Sequence, residues 1–229
     1  MKNRLALIPL LLISISGCST HMTKVDYEGA GSTYHDNPSS INNVVVTDQR
    51  GTDSNWLGAI RGGYGNVLKT LKTEQSTDIV VDKMYTDALS KSGILSDSKD
   101  APYELRVVIT KYDCSYYFNR EAHAHVDISL VDNRSSVSKF SKVYKSDETE
   151  GGVGAGIFGD VDTLRLLAEA TMSKTIDKML DDPEFIKALN SGVSVGVSDR
   201  LNQLESLYKD GHISEKEYKE KREEILTEL

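Results

Sequence analysis

The sequence predicts an α+β protein: a two-layer sandwich of a mostly antiparallel sheet with two helices on one face, followed by a C-terminal α-helical hairpin. Three observations point there. Ala122, Ala124, Val126, Ile128 and Leu130 alternate with polar residues, the mark of a strand buried on one face. Two apolar stripes recur at helical spacing, Val81-Met84-Tyr85-Ala88-Leu89 and Leu164-Leu167-Ala168-Thr171-Thr175-Ile176-Met179. The order reads β-α-β-β-β-α with no repeated βαβ unit, which argues against a doubly wound parallel sheet.

The chain opens with Lys2 and Arg4, an apolar run from Leu5 to Ile13 broken by Pro9, and Ile15-Ser16-Gly17-Cys18. That run is too short to span a bilayer, which takes about 20 apolar residues. It resembles the signal peptide and lipobox of bacterial lipoprotein precursors, which are cleaved before the cysteine and acylated on it. The resemblance implies residues 1–17 as signal, Cys18 as the lipid-attachment residue, and the membrane as a partner through N-terminal acyl groups. More than one acyl chain makes such an anchor firm. In enterobacterial lipoproteins an Asp after the cysteine favours inner-membrane retention. Ser19 therefore resembles cargo of the outer membrane, facing the periplasm. Removing the two basic residues of the signal takes the net charge from −8 to −10. So acidic a chain argues against a nucleic-acid partner and against binding lipid through a basic patch. With Cys18 acylated, Cys114 is the only remaining thiol, either buried and inert or available to bridge two chains.

Residues 18–40, which carry Gly, Ser, Thr, Asn, His and Asp with few apolar residues, read as a flexible tether. Val44-Val45-Val46 reads as a buried strand running into a turn at Asp48-Gln49-Arg50-Gly51, and Gly51 to Gly65, with the single Trp56, as irregular. A helix begins near Ser76 or Thr77 and ends at Gly93. Tyr103–Tyr117, the alternating segment around Val126, and Val137–Lys145 form an antiparallel meander, with a turn at 133–136. Asp160 or Asp162 caps the second helix, and Pro183 starts a short third one. The α+β domain thus spans 41–190 and a linker 191–197.

The core resembles the YajG-type bacterial lipoproteins over roughly 40–190, through Val46-Thr47-Asp48-Gln49-Arg50, Leu105-Arg106-Val107-Val108-Ile109, the strand from Ala122 to Leu130 and Asp182-Pro183-Glu184-Phe185-Ile186. That group has no established enzymatic activity, so the likeness informs architecture. Residues 198–229 resemble the SHOCT module, a short C-terminal domain, through Leu201 and Leu204, Gly211 with Ile213, Glu217-Tyr218 and Ile225-Leu226. Ser214 to Glu217 is a capping box. A hairpin of this size falls below the ~40 residues needed for unassisted folding. It is expected to pack on its own domain or on another copy, and oligomerisation is what the module's relatives suggest. Leu201, Leu204, Tyr208, Ile213, Tyr218 and Ile225 are the candidate docking residues.

No catalytic set is apparent, and no cofactor is expected. Gly151-Gly152-Val153-Gly154-Ala155-Gly156 lacks the Gly-Lys-Ser/Thr ending of a phosphate loop. It reads as a flexible connection that could flank a ligand groove. A turn near Phe118-Asn119 would bring Cys114 beside His123 and His125, donors suited to zinc or copper. A polar outer sheet face is the reading preferred over a metal site. The tyrosines at 112, 116 and 117 read as cross-strand pairs or an interaction surface, and Asp48-Gln49-Arg50 as a structural turn or a partner contact. The sequence thus describes a non-enzymatic lipid-anchored lipoprotein, an accessory or assembly subunit that self-associates or docks on an envelope protein. The alternative is a periplasmic binding module for a lipid, a peptidoglycan fragment or a metal.

Overall fold

β-branched and aromatic residues at alternate positions make Tyr103–Tyr116 (β5) the longest strand and the organiser of the sheet. The structure, a computed structural model, describes residues 19–34, 40–151, 160–191 and 197–226. The signal segment, Cys18, the Gly152–Gly156 run, most of the linker and Leu229 lie outside the described residues. Before β5 come Ser19–Thr23 (β1), Ile41–Asp48 (β2), Trp56–Arg61 (β3), Val67–Thr73 (β4) and helix Thr77–Lys91 (α1). After it come Arg120–Asp132 (β6), Ser138–Glu150 (β7), Val161–Leu180 (α2), Pro183–Ser191 (α3), Val197–Lys209 (α4) and Glu215–Leu226 (α5). The strand order is β1-β4-β3-β5-β6-β7, with β2 also paired to β5. The two longest ladders, β5–β6 and β6–β7, are antiparallel as expected. β1 on β4, and both β2 and β3 on β5, are parallel.

One face of the sheet is apolar. Ala122, Ala124, Val126, Ile128 and Leu130 of β6 are fully buried against the stripes of α1 and α2 in a single core. A shift of register between Ile109 and Lys111 inverts the pleat of β5. Tyr103, Leu105, Val107 and Ile109 point inward before it, and Tyr112, Cys114 and Tyr116 after it. Asp160 caps α2 by accepting the amide of Asp162 at 3.0 Å. α1 stops before Gly93, whose φ of 70° is the left-handed conformation that ends helices.

Three expectations are corrected. The tether does not begin at residue 18. Ser19–Thr23 is a strand on β4, and the segment after it is bound to α2. The Asp26 amide donates to Glu169 Oε2 at 3.0 Å, the Tyr27 hydroxyl to Asp177, and the Tyr34 hydroxyl to the Leu180 carbonyl at 2.8 Å. Backbone pairing with β4 and a few spaced aromatic side chains hold a segment whose composition is polar. Second, the stretch from Gly51 to Gly65 is not irregular, because it contains β3. Gly58 belongs there for close packing, since a Cβ would fall 2.1 Å from the Cys114 carbonyl oxygen. Third, β2 alternates between half-buried and exposed residues instead of being buried on both faces.

β2 and β3 share one edge of β5, β2 along its first half and β3 along its second. Arg50 occupies the gap between them, its side chain only 4% exposed. Its Nε and Nη2 donate to both oxygens of Asp48 at 2.9 and 2.8 Å. Nη1 donates to the carbonyls of Tyr112 and Trp56 at 2.7 and 2.9 Å, and Nη2 also reaches Thr77 Oγ1 at 2.8 Å. The Asp-Gln-Arg triplet is therefore a structural turn that ties β2, β3, β5 and the start of α1 together. Burial works to raise the Asp48 pKa, but the Arg50 hydrogen bonds outweigh it and hold the carboxyl below its ordinary value.

Arg50→Ala strips the guanidinium from the Asp48 carboxylate, leaving it only the backbone amide of residue 50, and removes a donor from two carbonyls. It is expected to cost about 3 kcal/mol in urea unfolding. A depressed carboxylate stabilises above its unfolded pKa, about 3.9, and loses that contribution as pH falls through the folded value. The wild-type advantage over Arg50→Ala should therefore shrink as pH drops below about 4. An unchanged denaturation midpoint would contradict the clamp.

Candidate functional site

The side chains of β5 and β6 that point away from the helices form a polar surface. Along β6 it carries Glu121, His123, His125, Asp127 and Ser129, because the period of two that buries Ala122 to Leu130 sends these residues outward. β7 adds Lys145 and Asp147 in the same way, since Tyr144 and Ser146 point inward. The register sets His123 directly opposite Asp147 on β7 and Asp113 on β5. His125 lies between Lys145 and Lys111.

Two imidazoles converge on one carboxylate. Asp147 Oδ1 lies 2.5 Å from His123 Nδ1 and 2.9 Å from His125 Nε2, and the rings meet edge-on with centroids 6.3 Å apart. The hydrogen bond from His123, then that from His125, holds the Asp147 carboxyl below its ordinary range. One donor atom from each residue lies within 4.8 Å of the others. Two neutral imidazoles and a carboxylate are a donor set for zinc or copper. With a proton in place of the metal, the same three groups form a charge-assisted pair.

Cys114 does not join them. The β5–β6 turn is set so that Tyr116 pairs with Arg120, which places Cys114 opposite Ala122 and Tyr112 opposite Ala124. The difference from the expected pairing is one residue, and one residue transfers a side chain to the other face. Cys114 is fully buried in the core, and burial pushes its thiol pKa well up. Tyr112 and Tyr116 are buried with it, while Tyr117 is half-buried at the turn. Asp147 was not singled out from sequence, although the inward positions of β7 at Tyr144 and Ser146 carry the signal for it.

The C-terminal hairpin forms as α4 and α5 around the turn at Gly211. The capping box is made: the Ser214 amide donates to Glu217 Oε2 at 2.8 Å, and the Glu217 amide to Ser214 Oγ at 3.4 Å. Leu204 and Ile225 are buried, Leu201, Ile213 and Tyr218 half-buried, and Tyr208 stacks on Tyr218 with centroids 4.9 Å apart. Leu207 and Tyr208 remain exposed on its surface. An open groove of about 620 Å³ lies beside the N-terminal segment. Val25 and Val80 line it beside charges that pair with one another, Lys24 with Glu74 and Lys83 with Asp26, so it is a largely polar seam. The proposed groove at the glycine run falls on residues outside the described ones.

A family model described as an uncharacterized lipoprotein, Lipoprotein_16, matches residues 33–190. Among solved structures, the chain is similar to protein XCC0632 from Xanthomonas campestris, of the family DUF330. The TM-score is 0.54 at 13% identity, over 76% of this chain and 99% of that one. Weaker likenesses are to the hypothetical protein CT253 from Chlamydia trachomatis (TM-score 0.42, 9% identity, 65% and 97% of the two chains) and to lipoprotein GNA1162 from Neisseria meningitidis (TM-score 0.28, 13% identity, 61% and 99%). At such identities the first likeness shows the fold alone, and the other two carry no argument. No curated protein matches the sequence.

The buried thiol gives a direct check on the register. Cys114 should resist a thiol-specific reagent in the native protein and react fully in denaturant. Rapid native labelling, or a Cys114-linked dimer on non-reducing electrophoresis, would contradict this placement.

Proposed function

The chain belongs to the lipoprotein family Lipoprotein_16, and from that premise we propose that it is a non-enzymatic lipoprotein held at the outer membrane by acyl groups on Cys18. It faces the periplasm and acts as an accessory or assembly subunit. The C-terminal hairpin, as a SHOCT module, mediates self-association or docking through Leu201, Leu204, Tyr208, Ile213, Tyr218 and Ile225. The carrying observation is the layout of the two chain ends. Ser19 enters the sheet beside Lys69, level with the end of β5, whereas Ser191 leaves α3 beside the Tyr103 hydroxyl at the start of β5, 3.4 Å away. The entry at Ser19 and the end of α3 at Ser191 thus lie at opposite ends of β5. The hairpin's small core and its exposed Leu207 and Tyr208 support a role in contact with another surface. Attachment to a membrane adds to this, because confinement raises local concentration and makes a weak contact effective.

A second reading has one observation behind it, the convergence of His123, His125 and Asp147. On it the outer sheet face binds a divalent transition metal through two imidazoles and a carboxylate.

Two measurements test these readings. Protein extracted from membranes should lack residues 1–17 and carry acyl mass on Cys18, and its detergent-solubilised form should be oligomeric by light scattering, reverting to monomer on deletion of 198–229. A free Cys18 thiol contradicts the anchor, and a monomer with and without the hairpin contradicts self-association. For the metal, zinc titration by calorimetry near neutral pH should show one site, weakened at least tenfold in Asp147→Asn. Identical isotherms for wild type and Asp147→Asn would remove that reading.

A further inference from the structure

Large rings stand in solvent at one end of the sheet. Tyr64, in the turn between β3 and β4, is 100% exposed, and Phe118, in the turn between β5 and β6, is 70% exposed. Tyr117 joins these turns into one tip. Its ring packs on Phe118 with centroids 4.1 Å apart, and its hydroxyl donates to the Gly63 carbonyl at 3.0 Å. Exposed rings gain nothing from folding, so a clustered pair of them points to a surface used for contact.

Strand directions place the lipid-bearing end of the chain at this same tip. β3 and β5 run parallel and finish there, with Ile60 level with Tyr116. β4 starts there, Val67 opposite Arg61, and β1 runs parallel to β4 with Ser19 beside Lys69. Ser19 is therefore only two strand positions from the start of β4. The Cα of Cys18 lies one peptide away, about 3.8 Å from that of Ser19. Two strand positions span about 7 Å. The aromatic turn thus begins about 7 Å past Ser19 along the strand axis, a distance comparable with the ~5–10 Å depth at which interfacial apolar groups sit in a bilayer.

We propose that this end of the sheet contacts the membrane: Tyr64, Tyr117 and Phe118 enter the headgroup region of the bilayer that holds Cys18. The sheet then stands on the membrane on two supports, the acyl anchor beneath β1 and the ring cluster beneath the two turns. Aromatic side chains favour that depth because they offer an apolar body and, in tyrosine, a polar edge. Charge does not drive the contact. Arg61, Lys69 and Arg120 share this end with Glu121 and Glu150, and Arg120 pairs with Glu150 at 3.1 Å. In a chain of net charge −8, contact through rings also avoids any need for a basic patch.

The inference rests on Cys18 being the acylated residue, and the experiment separates the two claims. Full-length mature, acylated protein is reconstituted into vesicles of phosphatidylethanolamine and phosphatidylcholine with bromine on the acyl chains near the headgroup. Tryptophan is placed at the tip by Phe118→Trp or Tyr64→Trp, and at the far end by Val137→Trp, in the β6–β7 turn. Native Trp56, at the other end of β3 from the tip, is the internal reference. All three substituted positions are solvent-exposed, so each variant should keep the wild-type circular dichroism. Protein that fails to float with the vesicles removes the anchor and this inference together. In floated protein, bromolipid should quench the two tip tryptophans several-fold more than Val137→Trp or Trp56. Equal quenching at both ends, or none at the tip, overturns the membrane-contacting tip while leaving the anchor standing.

Discussion

The fold depends on how one edge of β5 is filled. Its 14 residues are longer than either neighbour on that side, so β2 covers the first half and β3 the second. Between the two ladders the backbone of β5 would have an unpaired carbonyl at Tyr112, and an unpaired buried carbonyl costs on the order of 1–3 kcal/mol. Arg50 supplies the missing donor. A lysine could not replace it, because the position needs a planar fork that meets a carboxylate, two carbonyls and a hydroxyl at once. With that corner fixed, the change of pleat after Ile109, the burial of Cys114 and the starting point of α1 all follow.

A sheet fastened in this way has one dry face and two distinct ends, and each feature has a functional consequence. The dry face takes both long helices, which leaves the other face free for the row of His123, His125 and Asp127 with Asp147 alongside. The ends differ because β1 runs parallel to β4. Had the N-terminal strand paired antiparallel, Ser19 would enter beside Thr73, about four residues further from the aromatic turns and level with the middle of β5. Parallel pairing instead puts Ser19 beside the aromatic turns.

Much of this was legible in the sequence where periodicity is strong. The alternation from Ala122 to Leu130 and the stripes of α1 and α2 left little freedom, and Ser76, Asp160, Pro183 and Ser214 marked helix starts found in the structure. The reading failed where a residue type has two physical meanings. Gly58 looks like loop but marks the close approach of β3 to β5, and Val67-Leu68 puts apolar side chains on both faces of β4, which hides its period. The segment after Ser19 looks like linker because its affinity for the fold lies in backbone pairing and a few spaced rings. Whether Cys114 is buried or lies beside the histidines stayed open in the sequence because hairpin register is decided by the conformation of residues 117–119, which composition does not encode. The Asp-Gln-Arg triplet stood out in the sequence, yet its role required knowing which strands leave a gap.

The proposed arrangement is an upright domain, with the acyl anchor and ring cluster below and the end of α3 above. Neutron reflectometry of the acylated protein on a supported bilayer measures this most directly. β6 has 13 residues, so its length along the membrane normal gives a protein layer at least about 40 Å tall, in contact with the headgroups at its base. A layer only about 20 Å thick, the depth of one sheet and one row of helices lying flat, would contradict it.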